Sequence, residues 1–325
     1  MKNSLREVAK AKFGIKKLMG LVILLIVLLL IPRVASNYIV YVMILAMLYA
    51  MLTVSYDLLL GYTGQLSFCH GAFYGIGAYT SALLTLKAGL PFWVALPISG
   101  MFTFVVGAGV GYPALRLRGA YFAVTTFFFG HLVYLVILNS YKLTGGPLGL
   151  RDIPPPEGFL GIDFSSMNSS YYLILVFGIL MVVFLYRLVR SGIGRIFIAI
   201  REDQDFAEAI GINTAAFKVL SFSISAGLAG LVGSLFAHFF RLLHPSTFAW
   251  MTSEMVVIMT LFGGAGTLFG PILGAGIVTF VLEVMRFAPE FRYVIWAIAL
   301  IVVLVFEPKG LIGIIERIGR LWRKK

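Results

Sequence analysis

Apolar residues follow one another along nearly the whole chain, and the charged residues fall in a few short gaps between the apolar runs. A bilayer core of about 30 Å needs about 20 apolar residues per helix, so each run between gaps reads as a span. The runs lie at roughly 18–32, 34–56, 58–86, 91–115, 119–141, 169–186, 219–240, 254–270, 271–288 and 291–307. They predict an all-α polytopic membrane protein of about ten transmembrane helices, including short interrupted segments. The first run is short and follows six basic residues (Lys2, Arg6, Lys10, Lys12, Lys16, Lys17), a pattern shared with signal peptides. Because the next run opens at once, at Val34, the first is expected to stay as a membrane anchor. The region 254–288 is one glycine-rich stretch. It is compatible with two short helices or with one span plus a re-entrant loop, so about eight or nine spans is the alternative count.

Composition closes one alternative. Of 325 residues 60% are hydrophobic and only 12% charged, which excludes an ordinary water-soluble enzyme. The net charge of +12 would suit a nucleic-acid binder, so the placement of the 26 Lys and Arg decides its meaning. The side of the N-terminus carries six in the arm, Arg116 and Arg118, five in 187–218 and six in 309–325, nineteen in all. The opposite side carries seven: Arg33, Lys87, Lys142, Arg151, Arg241, Arg286 and Arg292. The positive-inside bias therefore puts both termini in the cytoplasm, and topology accounts for the basicity without nucleic acid. The expected organisation is a basic arm at 1–17, a transmembrane domain at 18–308 and a basic tail at 309–325. A single cysteine, Cys69, excludes an intrachain disulfide and a cysteine metal cluster.

Two loops exceed a simple turn. The outer one, about 142–168, holds Thr144-Gly-Gly-Pro147, Gly149 and Pro154-Pro-Pro156, and is expected to be turn-rich and ordered. The cytoplasmic one, about 187–218, is the most charged part of the protein. Neither has room for a nucleotide-binding domain, and no glycine-rich stretch is followed by the Lys of a phosphate loop. Any ATP used must bind another chain.

The stretch 61–79 places five glycines with Thr63, Gln65 and Ser67 inside an apolar segment. In lipid an interrupted helix is tolerable only where protein or a watery cavity satisfies its backbone, so this segment should face inward. Gly71, Gly75 and Ala78 also fit a close-packing face, and packing competes evenly with a transport role for the glycines. A pathway or gate is favoured for Thr63, Gln65 and Ser67, and Gly71 joins the candidates. A second interrupted segment, 262–276, contributes Gly264 and Gly266 to the same candidate set. Paired interrupted segments in two halves suggest an internal repeat with a pathway at its interface.

In the cytoplasmic loop, Asp205 and Glu208 stand three apart as an acidic capping box. Residues 206–210 suit a short helix, and Gly211 can end it. Its apolar residues Phe206, Ala209, Ile210 and Ile212 call for cover by a protein partner or by lipid headgroups. The ionisable residues within or beside spans, His70, His131, His238 and Glu283, are scattered without metal-ligand spacing. His131 and His238 read as neutral packing residues, and Asp57 and Glu307 as solvated carboxylates at cytoplasmic ends. No metal site or catalytic group emerges, so the chain is not expected to be an enzyme.

Five stretches together make the sequence resemble the permease subunits of ATP-driven branched-chain amino acid importers, the LivM/LivH family, on its LivM-like side. They are GYTGQLSFCHGAFYGIGAY at 61–79, LRGAYFAVTTFFFG at 117–130, LTGGPLGL at 143–150, GRIFIAIREDQDFAEAIGI at 194–212 and LFGGAGTLFGPILGA at 261–275. The resemblance implies a multi-pass protein of a bacterial inner membrane. It carries the family's ATPase-coupling loop onto Arg201 to Ile212, including Asp205, Glu208, Ala209, Ile210, Gly211 and Ile212. It further implies a second, LivH-like permease, two ATP-binding subunits that hold ATP and Mg, and a periplasmic solute-binding protein. No cofactor is expected on this chain. Cys69-His70 and Phe127-Phe-Phe129 depart from the family's smaller residues, which leaves urea or short amides as the alternative cargo. An ion-coupled secondary transporter would need carboxylates at the membrane midplane, whereas the acidic residues here lie mostly in loops and at span ends.

Overall fold

The computed structural model describes residues 25–158 and 163–285, together with Gly20, residues 310–313 and Arg317. Apolar helices follow one another: α1 (Leu25–Val34), α2 (Asn37–Leu60), α3 (His70–Leu86), α4 (Phe92–Ala114), α5 (Ala120–Asn139), the single turn α6 (Tyr141–Thr144) and α7 (Met167–Arg190). Two short helices, α8 (Gly192–Glu202) and α9 (Gln204–Ala209), lead into α10 (Thr214–Phe240), α11 (Trp250–Gly263) and α12 (Gly270–Val284). Five of them, α2, α4, α5, α7 and α10, are long and apolar enough to cross a membrane, and α1, α11 and α12 are shorter apolar helices. The described helices make an all-α, polytopic architecture.

The 27-residue α10 is the axis of the bundle. In its most apolar window 78% of residues are buried, against 22% for α7. Small residues make that central position tolerable: Gly77 of α3 and Gly230 of α10 approach so closely that a methyl on Gly77 would collide with the Gly230 backbone. On the other side α10 packs against α4, where Gly107 meets Ala226 and Gly111 meets Phe222. The outward residues of α5 and α7, among them Val124, Phe128, Leu132, Val176, Leu180 and Val183, are apolar and exposed, as suits a surface in contact with lipid or another subunit.

Several expected boundaries shift. The run 58–86 is not one helix: α2 continues to Leu60, residues 61–69 leave the helix, and α3 starts only at His70. Gly64, in the left-handed region at φ +74, turns the chain there. The glycine-rich region 254–288 resolves into two short helices, α11 and α12, separated by Gly264–Phe269. The charged loop at 187–218 holds two helices rather than one. Ser191 starts α8 by accepting the Gly194 N–H, a cap that the apolar pattern concealed. The arm 1–17, the run 291–307, Glu307 and most of the tail lie outside the described residues.

The loop after α5 is tied down at several described points. Lys87 donates to the carbonyls of Lys142 and Leu143 at 2.7 and 3.2 Å, and the Trp93 indole N–H donates to Glu157 at 3.2 Å. Leu150 pairs with Leu243 in an isolated antiparallel bridge. His238 completes the attachment: its Nδ1–H donates to the Pro154 carbonyl at 2.7 Å, which leaves Nε2 to accept from Ser81 at 2.9 Å. Ser234 in turn donates to Ser81 at 2.7 Å. His238 is thus a packing histidine with both ring nitrogens hydrogen-bonded, and His131 rests half-buried beside Tyr134.

Candidate functional site

The first break, 61–69, keeps its backbone bonded without a helix. The carbonyl of Asp57 accepts from both Gly61 and Tyr62, at 2.7 and 3.0 Å, and Gln65 N–H reaches Leu59 at 3.0 Å. Side chains satisfy the extended part: Ser67 N–H donates to the Tyr56 hydroxyl at 3.3 Å and Phe68 N–H to Thr126 at 3.1 Å. At the start of α3, Gly71 N–H donates to Ser253 of α11 at 2.8 Å. Protein thus supplies the partners that lipid would deny an open backbone. The same segment is lined by buried hydroxyls. Thr63 donates to the Leu58 carbonyl and lies 2.7 Å from Ser221, and His70 Nε2 lies within 3.2 Å of Ser225 and 3.4 Å of Ser55.

The second break, 264–269, contains Gly264 at φ +117 and Gly266 at φ +75, both unfavourable for a residue with a side chain. Thr267 closes the turn, accepting from Gly270 N–H at 3.1 Å and donating to the Gly264 carbonyl at 2.7 Å. The two breaks touch. Asp57 Oδ1 accepts the Gly266 N–H at 2.8 Å, and a methyl on Gly61 would overlap the Gly266 nitrogen. Gly310, near the end of the chain, sits against the same turn, where an added methyl would press on Gly264 N and the carbonyls of Leu261 and Phe262.

Arg201, in the last turn of α8, reaches into this junction. Its Nη1 donates to the Gly61 carbonyl, and its aliphatic stem lies against Gly64. Asp203 then separates α8 from α9 and caps α9, accepting the Phe206 N–H at 2.9 Å. Asp205 is therefore not the cap. It lies in the first turn, exposed, and pairs with Arg118 at 3.0 Å. Glu208 does not make the expected capping-box bond to the Asp205 N–H either, but bonds side chains. It accepts from Thr214 and from Gln204, with Arg118 3.9 Å away. Those two hydrogen bonds and the nearby guanidinium hold its carboxyl below the usual carboxylate range. Gly211 ends α9 at φ +88: its N–H bonds to Glu208 and the Ile212 N–H to Ala207, the paired bonds of a Schellman end. Phe206 and Ile210 stay 64% and 60% exposed, Ala209 is exposed, and only Ala207 of the helix is buried.

The structure thus separates the expected residues into groups. Thr63 and Ser67 are fully buried, and Gln65 is half-buried with its amide donating to the Thr63 carbonyl at 3.3 Å. Gly71 and Gly75 are close-packing seats, for α11 and for Phe248 respectively. Gly264 and Gly266 form the second break. Arg201 does not share the exposed face of α9; it belongs to the junction beneath it.

Asp57 is the largest correction. A solvated carboxylate was expected at the end of a span, but the residue is 1% exposed and holds the junction. Sequence reasoning also missed Arg118, and Ser221 and Ser225, whose spacing of four on α10 aligns two hydroxyls with the first break. Glu283 has a partner as well, accepting from the Tyr38 hydroxyl at 2.9 Å.

Residues 38–304 match the family described as "Branched-chain amino acid transport system / permease component". The high-affinity branched-chain amino acid transport system permease protein LivM of Escherichia coli K12 is 33% identical over 320 residues, covering 92% of this chain and 75% of that protein. LivM of Salmonella typhimurium is 32% identical over the same coverage. LivH of Salmonella typhimurium is 28% identical over 289 residues, covering 82% of this chain and 91% of LivH. No solved structure matches the chain.

Proposed function

The chain belongs to the permease-component family of branched-chain amino acid transport systems, and on that premise we propose that it forms one half of the membrane channel of an ATP-driven importer. Its cargo is branched-chain or other hydrophobic amino acids. The relatives' names favour that cargo over urea, and residues 61–69 of the first break include no charged side chain of their own. The second half is a LivH-like permease, two further subunits bind and hydrolyse ATP, and a periplasmic solute-binding protein delivers the substrate. The membrane is the bacterial inner membrane.

The observation that carries this reading is the exposed Phe206 and Ile210 on α9, a helix fixed at both ends by its own capping bonds. A rigid helix with an apolar face is suited to seat in the groove of another protein. ATP-driven closure of the partner subunits would then shift α9 as a body and alternate access to a pathway bordered by Thr63, Gln65 and Ser67, with the turns at Gly264 and Gly266. The free energy comes from differential binding of ATP and loaded receptor to the two states, so this chain needs no acid, base or nucleophile. The test is Phe206→Asp with Ile210→Asp in the co-expressed complex. Uptake of leucine and recovery of the ATP-binding subunits with the purified permease should both fall sharply. Normal recovery and uptake would remove α9 as the docking helix.

A further inference from the structure

We propose that Asp57 and Arg201 are positioning residues of the transport cycle, holding the two helix breaks against each other and against α8 so that a movement of α9 reaches both breaks together. The proposal rests on the docking role assigned above to α9.

The chain of contacts is short. Only Asp203 separates α8 from α9, so Arg201 lies two residues before the cap of the docking helix. Its guanidinium bonds the Gly61 carbonyl in the first break, and a methyl added to Gly266 in the second would lie 2.6 Å from Arg201 Nη1. Asp57 closes the arrangement from α2: its backbone carbonyl takes the Gly61 and Tyr62 N–H groups, while its side chain takes Gly266 N–H. One residue thus grips the first break by its backbone and the second by its carboxylate. The other carboxylate oxygen, Oδ2, is buried without a hydrogen bond among the described residues, where Gly266 N–H is the one bond its side chain accepts. The Arg201 guanidinium is ion-paired with Glu202, so its link to Asp57 runs through the Gly61 backbone, which both residues bond.

Glycine at 61 and 266 is what allows the approach, since any side chain at either would force the breaks apart. The contacts at this junction are few and discrete. They can break and re-form as a unit, as a switching element requires, unlike the continuous packing of α10 against α3 and α4.

The test uses the whole complex and two cysteine reporters. The native Cys69 is buried, so background labelling is low. Ile210→Cys reports on docking of α9 and Gln65→Cys on the first break, each by its rate of maleimide labelling with and without a non-hydrolysable ATP analogue. In the otherwise unaltered chain both rates should depend on nucleotide. With Arg201→Gln, or with Asp57→Asn, the Gln65→Cys rate should lose that dependence while Ile210→Cys keeps it, and Arg201→Lys should restore part of it. A general loss of structure would instead abolish both responses and reject the positioning role. A Gln65→Cys response that survives Arg201→Gln would overturn the proposal and leave the docking role intact. A missing response at Ile210→Cys in the unaltered chain would overturn the docking role and the proposal with it.

Discussion

Arg201 of α8 donates to the backbone carbonyl of Gly61, 140 positions earlier in the chain. That bond joins the charged loop to the point where the two glycine-rich breaks meet, through Asp57 and Gly266. Packing, charge and connectivity therefore coincide at one junction, and each makes a prediction.

The close approach of the breaks predicts a contrast among glycines. Gly61→Ala should destabilise by about 1–3 kcal/mol through overpacking. Gly266→Ala should cost about 1 kcal/mol more, because its φ of +75 also strains an alanine. Gly109→Ala and Gly276→Ala place a methyl within 4 Å of nothing, and should be neutral or stabilising by about 0.5–1 kcal/mol. Thermal unfolding in detergent measures all four.

The end of α9 predicts a pH dependence. Glu208 has its carboxyl pKa lowered by the Thr214 and Gln204 hydrogen bonds, so its contribution is present above the ordinary carboxylate range and lost as pH falls through the lowered value. Amide exchange across 204–212, corrected for intrinsic rates, should show protection fading below about pH 4.5. Glu208→Gln should remove that pH dependence.

The attachment of the outer loop predicts a change in proteolysis. His238→Ala leaves the Pro154 carbonyl and the Ser81 hydroxyl without their shared partner, at a cost of about 1–3 kcal/mol. The loop around 151–157 should then be cut faster by added protease, while Lys87→Met, which frees the Lys142 carbonyl at an exposed position, should change cleavage much less.

Apolar runs located most of the spans because lipid leaves little choice of surface, and the two breaks were legible from their clustered glycines, although Gly71, Gly75 and Gly77 stay within α3 as packing seats. What could not be read was their contact. Nothing along the chain relates Gly61 to Gly266, and a carboxylate such as Asp57 at the edge of a run looks solvated until the second break covers it. The cap of α9 was misplaced by two residues because Asp205 and Glu208 have the spacing of a capping box. Asp203, followed three residues on by an apolar Phe206, lacks it and still makes the bond. Arg201 comes into the coupling loop through the family resemblance alone, whereas its side chain bonds the Gly61 carbonyl in the first break.

In the proposed function this permease moves amino acids only when ATP-binding partners act on α9. The direct measurement is leucine uptake into proteoliposomes holding the complete complex with its binding protein, compared with the same chain alone under an imposed ion gradient. Uptake should require ATP and all partners, and the chain alone should show none. Gradient-driven uptake by the isolated chain, indifferent to ATP, would contradict the proposed function.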